Sequence, residues 1–262
     1  MSITTVNNRL IHYEALGRGE PLIFVHGWLG SWRYWWPSMQ ALSTQHRTFA
    51  FDLWGFGDSS KEQQMYSLDT YVSMLDQFMG HLGIRPPISL VGHALGGVVA
   101  LRFANRHPDR VKRLVTVALP IMGSYINERL KTMNAGTFLQ KYLGKAHTFP
   151  EVESETHKTD PGAISRLAQE LSQASFAADL ERVSCQTLLV YGEQDPVVQI
   201  PSDDYNTWQR SGQNRHIIML NGSTHFPMLE ETATFNRLML DFIHADSPME
   251  IAPKTLWQRR TR

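Results

Sequence analysis

The chain has 262 residues, 42% of them apolar, enough for one large α/β domain or two small ones with a substantial core. Its formal net charge is zero, which argues against a dedicated nucleic-acid binder, because such proteins are usually basic. No window approaches the ~18 consecutive apolar residues of a membrane span, and Met1–Val6 lacks the basic and apolar regions of a signal peptide.

Two short alternating runs, around Ile3–Val6 and Leu10–Glu14, predict an antiparallel hairpin turning at Asn7-Asn8. Pro21–Val25 is a continuous apolar run of the kind buried on both faces of a sheet. Trp32–Leu42 has helical period, with Pro37 starting the helix proper, and its cluster of Trp32, Trp35 and Trp36 reads as packing. Thr48–Asp52 is the next buried strand and Leu68–Leu82 an amphipathic helix. Ile88–Val91 is a short β-rich run, followed by a helix over Leu95–Arg106. Further strands are predicted at Arg113–Ala118, Thr187–Tyr191 and Ile217–Leu220, with helices near Ser202–Arg210 and Thr232–His244.

Strands alternating with helices predict an α/β fold with a mostly parallel central sheet and helices on both faces. The alternation breaks between Ile121 and Leu180, where two helical stretches, Tyr125–Leu143 and Pro161–Ala178, flank a polar segment, Lys145–Thr159. Residues 121–180 are therefore expected to form a small helical cap, residues 1–120 and 181–245 the core, and residues 246–262 a tail. That tail carries Lys254, Arg259, Arg260 and Arg262 and reads as solvated or loosely docked. The single cysteine, Cys185, precedes a strand, reads as a buried small hydrophobe and is consistent with a reducing, cytoplasmic setting.

The predicted strand ends carry the chemistry, as expected where ligands meet open parallel sheets. One ends in His26-Gly27-Trp28 and another in Asp52-Leu53-Trp54-Gly55-Phe56-Gly57-Asp58-Ser59. A third enters Gly92-His93-Ala94-Leu95-Gly96-Gly97, which has the glycines of a G-x-S-x-G nucleophile elbow but alanine where the nucleophile stands. The last two end in Gly192-Glu193-Gln194-Asp195 and Gly222-Ser223-Thr224-His225-Phe226-Pro227. Over residues 10–245 this ordered set resembles the α/β-hydrolase family, with a nucleophile position, then an acid, then a histidine.

The resemblance implies a small-molecule substrate and residue roles as follows. Ala94 occupies the nucleophile position, Asp195 is the acid, and His225 is the base. The main-chain N–H groups of Trp28 and Leu95 form the oxyanion hole, which an alanine at 94 leaves intact. Trp28, His93 and Phe226 are the candidate substrate contacts. His93 also shapes the elbow, and His26 is a structural histidine beneath the oxyanion loop. Haloalkane dehalogenases and epoxide hydrolases carry aspartate where this chain has Ala94, and Leu29 stands where epoxide hydrolases have the proline of H-G-x-P. No GxGxxG, Walker loop or metal-spaced Cys/His cluster appears, so neither cofactor nor metal is expected.

Ala94 leaves three readings open. The chain is a serine hydrolase in which alanine replaces the nucleophile, or an enzyme in which His225 activates water or removes a substrate proton directly, or a non-catalytic ligand binder. Some family members, including aminoacrylate hydrolases of pyrimidine breakdown, resemble this sequence in carrying G-H-A-L-G. The expected substrate is a small to medium ester, amide or carbonyl compound, turned over by a monomer or homodimer. The cap residues Leu130, Met133, Phe138, Leu139, Ile164, Leu167 and Leu171 either line its pocket or pack the cap onto the sheet.

Overall fold

The computed structural model describes residues 2–143, 149–210, 214–246 and 251. Eight strands form one sheet: β1 (Ser2–Val6), β2 (Arg9–Leu16), β3 (Glu20–Val25), β4 (His46–Phe51), β5 (Ile88–His93), β6 (Val111–Val117), β7 (Gln186–Gly192) and β8 (Arg215–Leu220). Their order is β1-β2-β4-β3-β5-β6-β7-β8. The first two strands run antiparallel to their neighbours, and all other pairs are parallel. Asn7 and Asn8 turn the opening hairpin with φ of 50° and 62°, a left-handed conformation that asparagine tolerates better than most residues.

The helices of the main fold are α1 (Trp36–Leu42), α2 (Leu68–His81) and α3 (Leu95–Arg106). The insertion between β6 and β7 adds α4 (Ala135–Phe138), α5 (Pro150–Thr156), α6 (Pro161–Ser172) and α7 (Ala177–Arg182). After β7 come α8 (Ser202–Arg210), α9 (Pro227–Glu230) and α10 (Thr232–His244). The helices α1 and α10 pack together, as do α2 and α3, and α1 and α3 lie against the strands. Leu22 to Val25 and Leu90 to Val91 are fully buried between these layers, so their runs are apolar throughout and do not alternate. A single turn of 3₁₀ helix, Trp32–Trp35, precedes α1, and Pro37 sits in the first turn of α1, where its missing N–H costs nothing.

The insertion differs from its predicted layout. Tyr125–Leu143 is a chain of short pieces, not one helix: two 3₁₀ turns, the four-residue α4 and a π-helical turn over Leu139–Leu143. The Asn127 and Asn134 side chains accept from main-chain N–H groups two residues on, restarting the chain each time, an alternative that asparagine offers to continuous helix. The polar segment holds α5, and Pro161–Ala178 breaks after Ser172. Leu130, Met133 and Ile164 line a cavity of about 340 Å³. Phe138, Leu139, Leu167 and Leu171 do not line it and are buried in the core, as Leu130 and Ile164 also are. Cys185 is half-buried, less enclosed than its sequence context implied, because it lies just before β7 enters the sheet. The basic residues of the tail lie outside the described residues.

Register levels the strand ends. Val25 pairs with Phe51 and with Gly92, His93 with Val117, Val117 with Val190, and Gly192 with Leu220. The residues that follow these positions therefore share one edge of the sheet. Glycine makes the convergence possible. A Cβ on Gly96 would lie 2.3 Å from the Val25 carbonyl oxygen, and one on Gly92 would lie 2.2 Å from that of Gly96. Both obstacles are backbone, which does not rotate away. Gly96→Ala is therefore expected to lower unfolding free energy by at least about 3 kcal/mol. Urea unfolding measures this, and a loss under about 1 kcal/mol would refute the close approach.

Candidate active site

The turn after β5 is an elbow. Ala94 has φ 48° and ψ −110°, and its N–H donates to the Val117 carbonyl at 2.8 Å. A non-glycine residue in such a conformation carries roughly 1–3 kcal/mol of local strain. The next residue, Leu95, opens α3, so its N–H is one of those that a helix leaves without an intrahelical acceptor. The Trp28 main-chain N–H, in the loop after β3, likewise has no acceptor among the described residues.

The acid and base loops are held to each other. Asp195 Oδ2 lies 2.8 Å from His225 Nδ1, and both side chains are buried. Asp195 Oδ1 accepts from the main-chain N–H groups of Val197 at 2.7 Å and Val198 at 3.1 Å, which fixes the carboxylate plane. Gln194 N–H donates to the Ser223 carbonyl at 3.0 Å. A Cβ on Gly192 would meet the Thr224 carbonyl oxygen at 2.0 Å, so only glycine lets the histidine loop pass this close to β7. Glu230, one turn further on, accepts from both the Thr224 N–H and its hydroxyl. His225 Nε2 is buried and has no hydrogen-bond partner among the described residues. Because Nδ1 faces a carboxylate, it carries the proton, and Nε2 presents its lone pair.

His26 lies beneath the loop of Trp28. Its Nδ1–H donates to the Gly27 carbonyl at 2.8 Å and its Nε2 accepts from Leu53 N–H at 2.9 Å. His93 also has both ring nitrogens engaged by protein, Nδ1 with the Tyr34 hydroxyl at 2.9 Å and Nε2 with the His225 carbonyl at 2.9 Å. It therefore has no free polar atom for a ligand. Phe226 packs edge-on to Tyr34, His225 and Phe149 of the insertion and at a tilt to His93. Ala94, Trp28, Leu95, His93, His225 and Phe226 are all closed to solvent. The 340 Å³ cavity is lined by none of them.

Burial pushes the His26 ring below its ordinary histidine value, and burial together with the neighbouring His225 pushes His93 well below it. Both rings are thus neutral in the folded protein, while the unfolded chain titrates near pH 6.5. Their contribution is fully present above that pH and is lost as pH falls toward the folded values, since only the unfolded state takes up the protons. Unfolding free energy should therefore fall as pH drops below ~6.5, with His93 contributing more than His26. Denaturant melts between pH 7.5 and 5.5 test this, and equal stability at the two ends would contradict it.

Asp52 braces the same edge. Its Oδ1 accepts from Trp32 N–H, and its Oδ2 from the Asp58 N–H and from His12 Nδ1. His12, Asp52 and Asp58 bring three potential ligand atoms within 4.8 Å of one another. Protein donors already occupy the Asp52 oxygens, and Lys158 Nζ sits 3.0 Å from Asp58 Oδ2, so the group reads as a hydrogen-bonded brace and not as a cation site. Lys158 and the buried Glu155, both of the insertion, join Arg33 and Asp58 in an ionic cluster that ties α5 to the loop after Trp28.

Tyr34, Glu230 and the contacts of Arg33 with Glu155 escape the sequence reading. Only the spacing of Gly27 and Gly30 before Tyr34 hints at one of them: a Cβ on Gly30 would lie 2.6 Å from the tyrosine ring.

A parallel sheet of this order, with a strained turn after its third parallel strand and an Asp–His pair on the last two strand ends, is the α/β-hydrolase fold. The family described as alpha/beta hydrolase fold matches residues 20–142. The chain is 25% identical to pimeloyl-[acyl-carrier protein] methyl ester esterase of Vibrio cholerae over 88% of its own length and 97% of the esterase. It is 26% identical to the protein designated carbamate hydrolase RutD of Stutzerimonas stutzeri, over 89% and 96%. A hydrolase from Pseudomonas aeruginosa PA01 superimposes with a TM-score of 0.80 at 19% identity, covering 93% of this chain and 98% of that one. No helix among the described residues is long and apolar enough to cross a membrane.

Proposed function

We propose that this protein is a hydrolase of small to medium ester, amide or carbonyl substrates in which His225, oriented by Asp195, is the general base. The observation that carries the reading is the buried, unpartnered Nε2 of His225 on a ring whose Nδ1 is held by a carboxylate. A base so placed removes a proton from whatever O–H or acidic C–H is brought to it. With an ester, Nε2 takes a proton from water as the water oxygen bonds to the carbonyl carbon. The resulting oxyanion is received by the N–H groups of Trp28 and Leu95, which have no acceptor among the described residues. The imidazolium then returns the proton to the leaving alkoxide as the ester C–O bond breaks, releasing acid and alcohol. No covalent enzyme intermediate is required, which suits an alanine at 94. The likeness to an ester hydrolase and to a protein designated a carbamate hydrolase supports the substrate class.

In this reading residues 121–180 act as a cap, and the Arg33–Glu155 contact holds it shut over the site. The closed site then requires the cap to move before substrate enters. Trp28 and Phe226 are the proposed substrate contacts. The test is a screen of p-nitrophenyl acetate, butyrate and related carbamates with the chain as it stands and with His225→Ala. Turnover that depends on His225 supports the reading, and turnover indifferent to it defeats the reading.

A second reading is favoured by the backbone at 94. Its strained φ and ψ serve to present a side chain at the tip of the elbow, which a methyl group does not exploit. That geometry suits a serine hydrolase whose nucleophile has been replaced by alanine, and Ala94→Ser separates the two readings.

A further inference from the structure

A chain of hydrogen bonds runs beneath the proposed site through two residues outside the Asp195–His225 pair. The Gly27 N–H donates to the Tyr34 hydroxyl oxygen at 2.6 Å. That hydroxyl lies 2.9 Å from His93 Nδ1, and His93 Nε2 lies 2.9 Å from the main-chain carbonyl oxygen of His225. Only one proton order satisfies all three contacts. A carbonyl oxygen accepts and never donates, so Nε2 of His93 carries the ring proton. The neutral ring then has its lone pair on Nδ1, and Tyr34 must donate its hydroxyl proton there while accepting from Gly27. Every residue in the chain is buried, and the Tyr34 hydroxyl serves as both acceptor and donor.

Two glycines and the ring packing point the same way. A Cβ on Gly27 would lie 3.1 Å from His93 Nδ1, and one on Gly30 would lie 2.6 Å from the Tyr34 ring. The Tyr34 ring fits only because Gly30 lacks a Cβ, and His93 packs tightly against Gly27. The His93 ring lies 4.4 Å, centroid to centroid, from the His225 ring and sits one residue before Ala94. The chain therefore links three segments on which the proposed mechanism depends: the loop carrying Trp28 N–H, the elbow, and the loop carrying the base.

We propose that Tyr34 and His93 are positioning residues that together fix the oxyanion loop and the His225 ring in register with each other. This rests on the functional reading above for its catalytic consequence, but not for its structural one. Neither residue touches substrate, and both act through His225 and Gly27. Without the Tyr34 hydroxyl, Gly27 N–H is left buried and unpaired, His93 loses the donor that selects its tautomer, and the His225 main chain loses a dependable donor.

The test uses nitrogen–proton correlation NMR of the histidine rings in the full chain. In the unaltered protein His93 should be protonated on Nε2 and bare on Nδ1, and a proton on Nδ1 would overturn the proposal without any variant. In Tyr34→Phe the His225 Nδ1–H resonance should broaden and exchange with water at least about tenfold faster. His93→Leu should do the same, whereas His93→Gln should keep the resonance, because its amide can accept from Tyr34 and donate to His225. An unchanged His225 resonance in both Tyr34→Phe and His93→Leu would overturn the proposal. On p-nitrophenyl acetate, Tyr34→Phe should lower kcat by about 10- to 100-fold with KM within about twofold. If turnover proves indifferent to His225→Ala while the His225 resonance still responds to Tyr34→Phe, the functional reading fails and the positioning role stands.

Discussion

Ala94→Ser should convert this chain into a serine hydrolase that hydrolyses short acyl esters and is labelled covalently by a fluorophosphonate. Position 94 already has the backbone of an elbow, and the residues around it are in place. His225 Nε2 is bare, its Nδ1 is held by Asp195, and the Trp28 and Leu95 N–H groups have no other acceptor. A hydroxyl there is expected to meet the base at ~2.6–3.2 Å, the reach at which a serine is activated. In enzymes that use such a triad, loss of the serine costs on the order of 10⁶ in turnover, so the gain on restoring one could approach that size. The measurement is the stoichiometry of labelling by intact mass together with p-nitrophenyl acetate hydrolysis. A folded Ala94→Ser protein that neither labels nor hydrolyses esters would reject the serine-hydrolase reading. It would leave direct base catalysis by His225 or non-catalytic ligand binding.

His225→Ala in the chain as it stands is expected to remove turnover by about 10²- to 10⁴-fold, the usual worth of a positioned general base. Asp195→Asn should also impair it, because an amide in place of the carboxylate no longer enforces the tautomer that bares Nε2. The two effects should not add. Both act through one ring, and removing the ring already removes everything its partner did. Steady-state rates for the two single variants and the double variant decide it. Additive losses would mean that Asp195 works through something other than His225. Tight ligand binding with no turnover in any of these proteins would instead support the non-catalytic reading.

Local sequence was enough to place every strand of the sheet and the long helices beside it. Buried parallel strands are apolar runs, and α3, α8 and α10 begin and end where periodicity and charge say they do. The chain order of the elbow, Asp195 and His225 was also legible, because glycine-rich turns after such runs leave a clear local signature. The insertion was less legible. Its helices are short, interrupted by asparagine side chains that cap and restart the chain, and a 3.6-residue period does not reveal a break that a side-chain hydrogen bond causes.

What only the tertiary structure decided is which polar atoms meet. By residue type alone, His26, His93 and His225 are three equivalent histidines beside three turns. Burial and partner geometry make them different: His26 spends both nitrogens on loop backbone, His93 spends both on Tyr34 and the His225 carbonyl, and His225 alone keeps one free. Tyr34 could not be singled out from sequence, since its hydroxyl matters only because it reaches a ring 59 residues away in the chain. A side chain's identity sets what it is able to donate or accept, but whether an atom is left unpaired depends on contacts between strand ends, and these exist only once the sheet has brought them level.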